Sequence, residues 1–237
     1  MKICLYTITD FSEGAVECID LLLNSIVKDI NYDFYILTNL EKKSKYSTIK
    51  DDSLDGYLGF LKYSPQIPSY YDYYIYLDSD ILYFDTISSL LPIDKKFTIV
   101  TENMNIGTHE WFYFKNIDDP KQDSILQNCR ALNAGSFVFR NDHLFTIHNI
   151  YNFYKKYYIN NVRHDVKLEQ TIFNHIIYQY LDYSLSECND ITHKTQLFAS
   201  GEKQTSNKVL YHFCGFTNEM NSKYKNMKHF YDNYRKP

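Results

Sequence analysis

The stretch that most limits what this chain can become is Tyr73-Tyr74-Ile75-Tyr76-Leu77-Asp78-Ser79-Asp80-Ile81-Leu82-Tyr83-Phe84. Apolar and aromatic residues in such a run read as a buried strand. Two carboxylates one residue apart, Asp78 and Asp80, interrupt it. Side chains of an extended segment alternate between faces, so both acids are expected on the same side. Like charges aimed at one spot repel unless a cation lies between them, which makes a hard divalent metal the natural occupant. The competing reading is a strand that ends in an Asp-Ser-Asp turn, with one carboxylate capping the next helix.

The segments around this run suggest an α/β protein. Lys2 to Thr9 suits a buried first strand, and Asp10 to Gly14 a turn in which Ser12 is the candidate helix cap. Ala15 to Val27 carries Val16, Ile19, Leu22, Leu23 and Ile26 at helical spacing. Asp33 to Thr38 reads as a second strand, and strand, helix, strand with short links opens a parallel sheet. Glu41 to Lys50 reads as a solvated loop or surface helix, and Leu54 to Tyr63 as a helix that stops before Pro65. Phe97 to Thr101 is another strand. Glu102 to Arg130 has no clean period and holds the only tryptophan, Trp111, beside Phe112, Tyr113 and Phe114. A long irregular aromatic segment serves as a binding loop or covers the sheet. Ala131 to Phe139 is a strand in which Gly135 signals a bulge or a close approach to the backbone. Asp142 to Tyr158, Asp165 to Tyr180 and Glu219 to Tyr234 show helical patterns, and Val209 to Phe213 is a last short strand. No repeat or linker divides the chain.

With 237 residues, 44% of them hydrophobic and 23% charged, the composition is that of an ordinary globular protein. The formal charge of −4 provides no basic field for nonspecific nucleic-acid binding. No run of eighteen apolar residues exists, so no membrane span is expected. Five cysteines are an odd number with no close pairing. Cys4 and Cys214 stand in apolar strand-like runs, and buried thiols in a reducing compartment are the expectation. The N-terminus runs straight into a strand pattern without a signal peptide, and no Asn-x-Ser/Thr acceptor site is present. The expected location is cytoplasmic, with a lumenal catalytic fragment as the alternative.

Five local patterns occur in order: the strand–turn–helix around Thr7-Ile8-Thr9-Asp10; Tyr76-Leu77-Asp78-Ser79-Asp80-Ile81-Leu82; Asn133-Ala134-Gly135; Glu169-Gln170; and His212-Phe213-Cys214-Gly215. Together they resemble the glycosyltransferase-A fold and, within it, glycosyltransferase family 8, the glycogenin and bacterial α-galactosyltransferase group. The resemblance covers about Ile3 to Gly215. It implies one α/β domain with a mixed, mostly parallel central sheet. Residues 1–101 would form the nucleotide-binding part, 102–215 the sugar and acceptor part, and 216–237 a C-terminal helical tail.

The resemblance also implies roles. Asp80 would bind the metal most directly, Asp78 would share the metal and a ribose hydroxyl, and His212 would be the third ligand. Carboxylates with an imidazole suit Mn²⁺, with Mg²⁺ as substitute. Thr7, Thr9 and Phe11 would meet the nucleotide, Phe11 by packing on a uracil ring, in a loop shorter than in typical relatives. Lys62 would add positive charge near the donor. Asn133, Ala134, Gly135 and Gly215 would meet the sugar. Gln170 would lie near the anomeric carbon with Glu169 beside it, where relatives usually have Asp-Gln. The implied activity is a retaining, metal-dependent transfer of a hexose, glucose or galactose, from a UDP-sugar to a glycan or protein acceptor.

The chain departs from the family after His212. Relatives carry a lysine a few residues past the His-x-x-Gly pattern. Phe216 to Met220 contains none, and Lys223 and Lys225 are the nearest candidates. One alternative is a non-catalytic nucleotide-sugar-binding relative. Another is a haloacid-dehalogenase-type phosphatase, which expects Thr or Val where Leu82 stands and a later Gly-Asp-x-x-x-Asp pattern that is missing.

Overall fold

A computed structural model describes residues 1–52, 58–108, 120–158, 166–198, 207–214 and 220–234. Strand β1 (Ile3–Ile8) turns Cys4 and Tyr6 into one apolar cluster and Ile3 and Leu5 into another, all four buried. A strand buried on both faces needs cover on both, which is the requirement of a sheet between helical layers. Helix α1 (Ala15–Ser25) supplies part of that cover, with Ala15, Cys18, Ile19 and Leu22 buried at i, i+3, i+4 and i+7.

Helix α1 starts at Gly14 and lacks the expected Ser12 side-chain cap. Gly14 has φ of 85°, and a Cβ there would sit 2.7 Å from the Cα of Asn221. Only glycine takes that backbone and leaves room for the neighbour. Ser12 contributes just its carbonyl, which accepts from Ala15 N at 3.0 Å. The helix ends before Val27, which bridges instead to Thr86.

Strands β2 (Asp33–Thr38) and β3 (Ser47–Lys50) follow. β3 corrects the expectation of a loop or helix over Glu41 to Lys50. It pairs in parallel with Tyr35–Thr38 on the sheet's outer edge, and its exposure leaves it without an apolar signature. Leu58–Tyr63, the described end of the helix expected over Leu54 to Tyr63, is a 3-10 helix, and Gly59 through Tyr63 are all buried.

The chain then forms β4 (Tyr73–Leu77), β5 (Ile81–Tyr83), β6 (Phe97–Asn105), α2 (Pro120–Asn128), β7 (Arg130–Arg140), α3 (Leu144–Tyr158), α4 (Val166–Tyr180), β8 (Cys188–Asp190), β9 (Thr195–Leu197), β10 (Leu210–His212) and α5 (Met220–Tyr234). Seven strands make one sheet in the order β3-β2-β1-β4-β7-β6-β8. Its pairings are parallel except those of β7, which runs against both β4 and β6. The expected mixed, mostly parallel sheet is therefore present. A small second sheet, β5-β10-β9, stands beside it.

β4 lies near the middle of the large sheet and shows why the opening run is so aromatic. Tyr74 and Tyr76 join the larger core cluster, while Ile75 and Leu77 join the cluster on the other face. Buried tyrosines need partners for their hydroxyls. Tyr74 Oη donates to Pro68 O at 2.9 Å, Tyr6 Oη to Lys62 O at 3.0 Å and Tyr178 Oη to Arg130 O at 2.6 Å. The hydroxyls thus tie a loop, the 3-10 helix and α4 to the sheet. Among the described residues the cysteines form no disulfide; Cys4 is buried as expected, whereas Cys214, just past the end of β10, is exposed. No helix of the described residues is long and apolar enough to cross a membrane. Trp111 to Phe114 and Gly215 lie outside the described residues.

Candidate active site

The Asp-Ser-Asp segment is where the chain leaves one sheet for the other. β4 ends at Leu77, Ile81 N donates to Asp78 O at 3.1 Å to close a turn, and β5 begins. Asp78 and Asp80 converge through this turn, not through the alternation of a continuous strand. The turn is pinned on both sides. Asp78 N donates to Gly135 O at 2.8 Å and Phe213 N to Asp80 O at 3.0 Å. β10 runs antiparallel to β5 with His212 opposite Ile81, which carries the imidazole to the acids.

Asp78, Asp80 and His212 each offer one ligand atom, all within 4.8 Å of one another. His212 Nε2 lies 3.2 Å from Asp80 Oδ1 and 3.5 Å from Asp78 Oδ2. Ligands about 2.1 Å from one small cation and at right angles would be roughly 3 Å apart, so this donor set fits a divalent ion. Gly135 makes the convergence sterically possible. A Cβ there would stand 2.3 Å from His212 Cε1 and 2.7 Å from Asp78 Oδ2. The bulge expected at this glycine is also present, as a register shift between Ile99 and Val100 where they pair with Phe137 and Asn133.

The charges around the cluster are closely balanced. Burial alone would raise the Asp80 carboxyl, but His212 and Lys223 outweigh it and hold the group below the usual range. Burial would lower the His212 imidazole, yet Asp80 and Asp78 raise it overall. Lys223 Nζ lies 2.5 Å from Asp80 Oδ2. Of the two lysines offered for the family's missing base, Lys223 is thus at the cluster, and Lys225 is exposed on the same helix.

On the other side of Asp78 lies a closed network. Lys62 Nζ donates to Ala134 O at 2.9 Å and stands 3.2 Å from Glu169 Oε1 and 3.9 Å from Asp78 Oδ1. Tyr63 Oη donates to Glu169 Oε1 at 2.5 Å, and Tyr76 Oη donates to Asp78 Oδ1. Burial pushes the Glu169 carboxyl up, and Lys62 only partly offsets it. Tyr63 and Tyr76 escaped the sequence reading, although Tyr76, on β4, stands only two residues before Asp78.

The other expected site residues are spread around these two clusters. Asn133 is buried, its Nδ2 donating to Glu102 Oε1 at 2.7 Å and its Oδ1 accepting from Gly135 N at 2.8 Å. Gln170 is half-buried, and its Nε2 donates to Leu132 O at 3.2 Å. The three N-terminal candidates are all buried. Thr7 is fully buried, with an Oγ1 that has no hydrogen-bond partner. Thr9 is buried, its Oγ1 accepting from Phe11 N at 3.0 Å. Phe11 packs with Ile19 and Ile36 and lies under Lys42 Nζ, 5.6 Å from the ring centroid, so its ring is not displayed for a base to stack on. It holds φ of 54°, a sparsely populated value for a bulky residue, while Lys42 Nζ donates to its carbonyl at 2.9 Å.

No protein-family model and no curated protein matches the chain. Solved structures do. The apo structure of the WbbM bifunctional glycosyltransferase has a TM-score of 0.60 at 14% identity, over 98% of this chain and 50% of that one. A crystal structure of a glycosyltransferase involved in the glycosylation of the major capsid of PBCV-1 has a TM-score of 0.54 at 14% identity, over 96% of this chain and all of that one. This chain therefore spans half the length of the WbbM chain. At such identity the likeness establishes a shared glycosyltransferase fold, with the candidate metal ligands Asp78, Asp80 and His212 brought together within it.

Proposed function

We propose that this chain is a metal-dependent glycosyltransferase of the family 8 kind, moving a hexose from a UDP-sugar to a glycan or protein acceptor with retention. One observation carries the reading. Two carboxylates from mid-chain and an imidazole from the far end meet within 4.8 Å on a glycosyltransferase fold. A non-catalytic nucleotide-sugar binder is the alternative, and turnover separates the two.

The residues divide the work as follows. Asp78, Asp80 and His212 would hold Mn²⁺, or Mg²⁺ in its place, where it could meet the donor's diphosphate. The chemistry supplied by the bound ion is stabilisation of negative charge as the sugar–phosphate bond breaks. Lys223 gives up part of its hold on Asp80 to face the same phosphates, taking the part of the lysine missing from Phe216–Met220. Asn133, its amide fixed from both ends, reads sugar hydroxyls. A glutamine amide is a poor nucleophile, so Gln170 steadies positive charge developing at the anomeric carbon. The acceptor then attacks from the face the diphosphate leaves. Glu169 and Lys62 work from beneath, holding the backbone of Ala134 and the carboxylate of Asp78 in place.

The test is release of free UDP from a panel of UDP-sugars, with and without Mn²⁺. Release from UDP-glucose or UDP-galactose is expected, falling at least about a hundredfold in Asp80→Ala. No release with any donor would sink the reading.

A further inference from the structure

Beside the candidate metal cluster runs a groove of about 900 Å³, within the range of small-molecule clefts. Glu102, Asn103, Arg130, His193, Lys208 and Cys214 are among the residues that line it. One end adjoins the candidate sugar residues, because Glu102 Oε1 accepts from Asn133 Nδ2 at 2.7 Å and Cys214 stands two residues past His212. Two cations, Arg130 and Lys208, also line the groove. Arg130 is three residues from Asn133 along β7, roughly 10 Å at strand rise. Lys208 stands four residues before His212, just ahead of β10.

The groove's charges are not spent on one another. Among the described residues neither Arg130 nor Lys208 has a carboxylate within ion-pair distance. Asp190, the second acid on the wall, is hydrogen-bonded by two other residues of that wall: it accepts from Thr192 Oγ1 at 2.5 Å and Thr101 Oγ1 at 3.2 Å. Arg130 uses two donors to fix its plane, Nε to Glu102 O at 3.0 Å and Nη2 to Asn103 Oδ1 at 3.1 Å. A guanidinium has five donors, so the rest of the fork remains for a ligand. Lys208 Nζ donates to His193 O at 2.5 Å and keeps two further protons.

We propose that this groove is the acceptor subsite and takes an acidic sugar, with a hydroxyl beside Glu102 and Asn133 and a carboxylate or phosphate group held by Arg130 and Lys208. The assignment rests on the transferase reading for the word acceptor, and on the groove's own chemistry for the anion. Fixed cations facing a groove bind oxyanions through charge-assisted hydrogen bonds, and the neutral sugar of the same shape lacks that gain.

Three probes of similar size test it on the full chain at low ionic strength: methyl glucoside, methyl glucuronide and glucose 6-phosphate, titrated by ligand-detected NMR. At least one anionic probe is expected to bind on the order of tenfold tighter than methyl glucoside. Whether the uronate, the phosphate or both show the preference tells which group the groove receives. Raising the salt shrinks the preference. Lys208→Gln reduces it, and Arg130→Gln with Lys208→Gln abolishes it. Lys208→Gln guards against misfolding, since the ammonium it removes donates to only one carbonyl, that of His193. Equal affinity for charged and neutral probes, a preference that survives in the double variant, or no binding of any probe overturns the proposal. UDP release by the unmodified protein is measured alongside. Its absence counts against transfer alone, because the groove is judged by binding.

Discussion

Asp78 stands between two groups of charged side chains that have come to different ends. Towards β10 lie Asp80, His212 and Lys223, an arrangement whose acids face one another across a space a cation fits. Towards α4 lie Lys62, Glu169 and Tyr63, an arrangement already complete, with the ammonium shared between a carboxylate and a backbone carbonyl. The side chains of Asp80 and Glu169 are about equally buried, at 7% and 8% exposed, so burial alone does not distinguish them. Partnering does. The first group draws its residues from a turn, a strand and a helix in the smaller sheet's neighbourhood and can trade one cation for another. The second is a fixed foundation, and Glu169, which the resemblance places beside Gln170, is part of it.

The largest effect expected from this contrast is on stability. Lys62→Met leaves Glu169 buried without its cation, which should cost about 3–5 kcal/mol in denaturant unfolding at neutral pH. Glu169 can escape by taking a proton. Its carboxyl is already pushed up by burial and will rise further without Lys62. A folded-state value above the unfolded one favours the folded chain at low pH, with the benefit lost as pH rises. The cost of Lys62→Met should therefore shrink towards acid. A cost under about 1 kcal/mol at neutral pH would show that the network is not a foundation.

Gly135→Ala comes next and strikes the open group. The added methyl meets both the His212 ring and the Asp78 carboxylate, and overpacking of this kind costs about 1–3 kcal/mol. Mn²⁺ affinity, read by titration, should fall far more than stability does, because the displaced atoms are the ligands themselves. A variant that binds Mn²⁺ as tightly as the parent would break the assignment of that space to a metal.

Lys223→Gln should have a smaller effect, and in the opposite direction. The ammonium on Asp80 Oδ2 competes with any cation for that oxygen. Removing it should tighten binding of Mn²⁺ alone by roughly fivefold, the equivalent of about 1 kcal/mol. Binding of UDP in the presence of Mn²⁺ should weaken in the same variant. Equal changes in both would place Lys223 with the foundation and not with the exchangeable group.

These contrasts mark where the sequence was readable. β1, β4 and β7 are strands of five to eleven residues with apolar side chains on both faces, and α4 carries a full helical period, so pattern alone found them. Asp78 and Asp80 were legible because two acids at the end of an apolar run repel unless a cation lies between them, whereas His212 entered only through the order of patterns that resembles glycosyltransferase family 8. β8 and β9 have three residues each, too few for any period, and β3 lies on an exposed edge. The pairing of Lys62 with Glu169 joins distant segments whose residues each read as ordinary helix ends. Phe11, which the resemblance offered to a uracil ring, is buried with Ile19 and Ile36. Its positive φ and the contact of its carbonyl with Lys42 from another segment are features that no local pattern carries.

The smallest effect supplies the background slope for the pH test on Lys62. His148 on α3 has an Nε2 sealed from solvent without a hydrogen-bond partner, and burial holds its imidazole below the usual range. The unfolded chain takes up that proton near the ordinary value of about 6.5, while the folded chain resists until the pH is lower. The folded state then binds fewer protons, so its stability is whole above about pH 6.5 and drains away as the pH falls through the folded value. His148→Leu removes this titration. Its melting temperature should drop less than the parent's between about pH 7.5 and pH 5.5, with Mn²⁺ affinity unchanged. The slope that remains in His148→Leu belongs to other groups, and crossing it with Lys62→Met isolates the part that Glu169 contributes. If His148→Leu keeps the parent's full slope, the acid sensitivity lies outside α3, and the opposite trend expected of Lys62→Met is then measured against that other source.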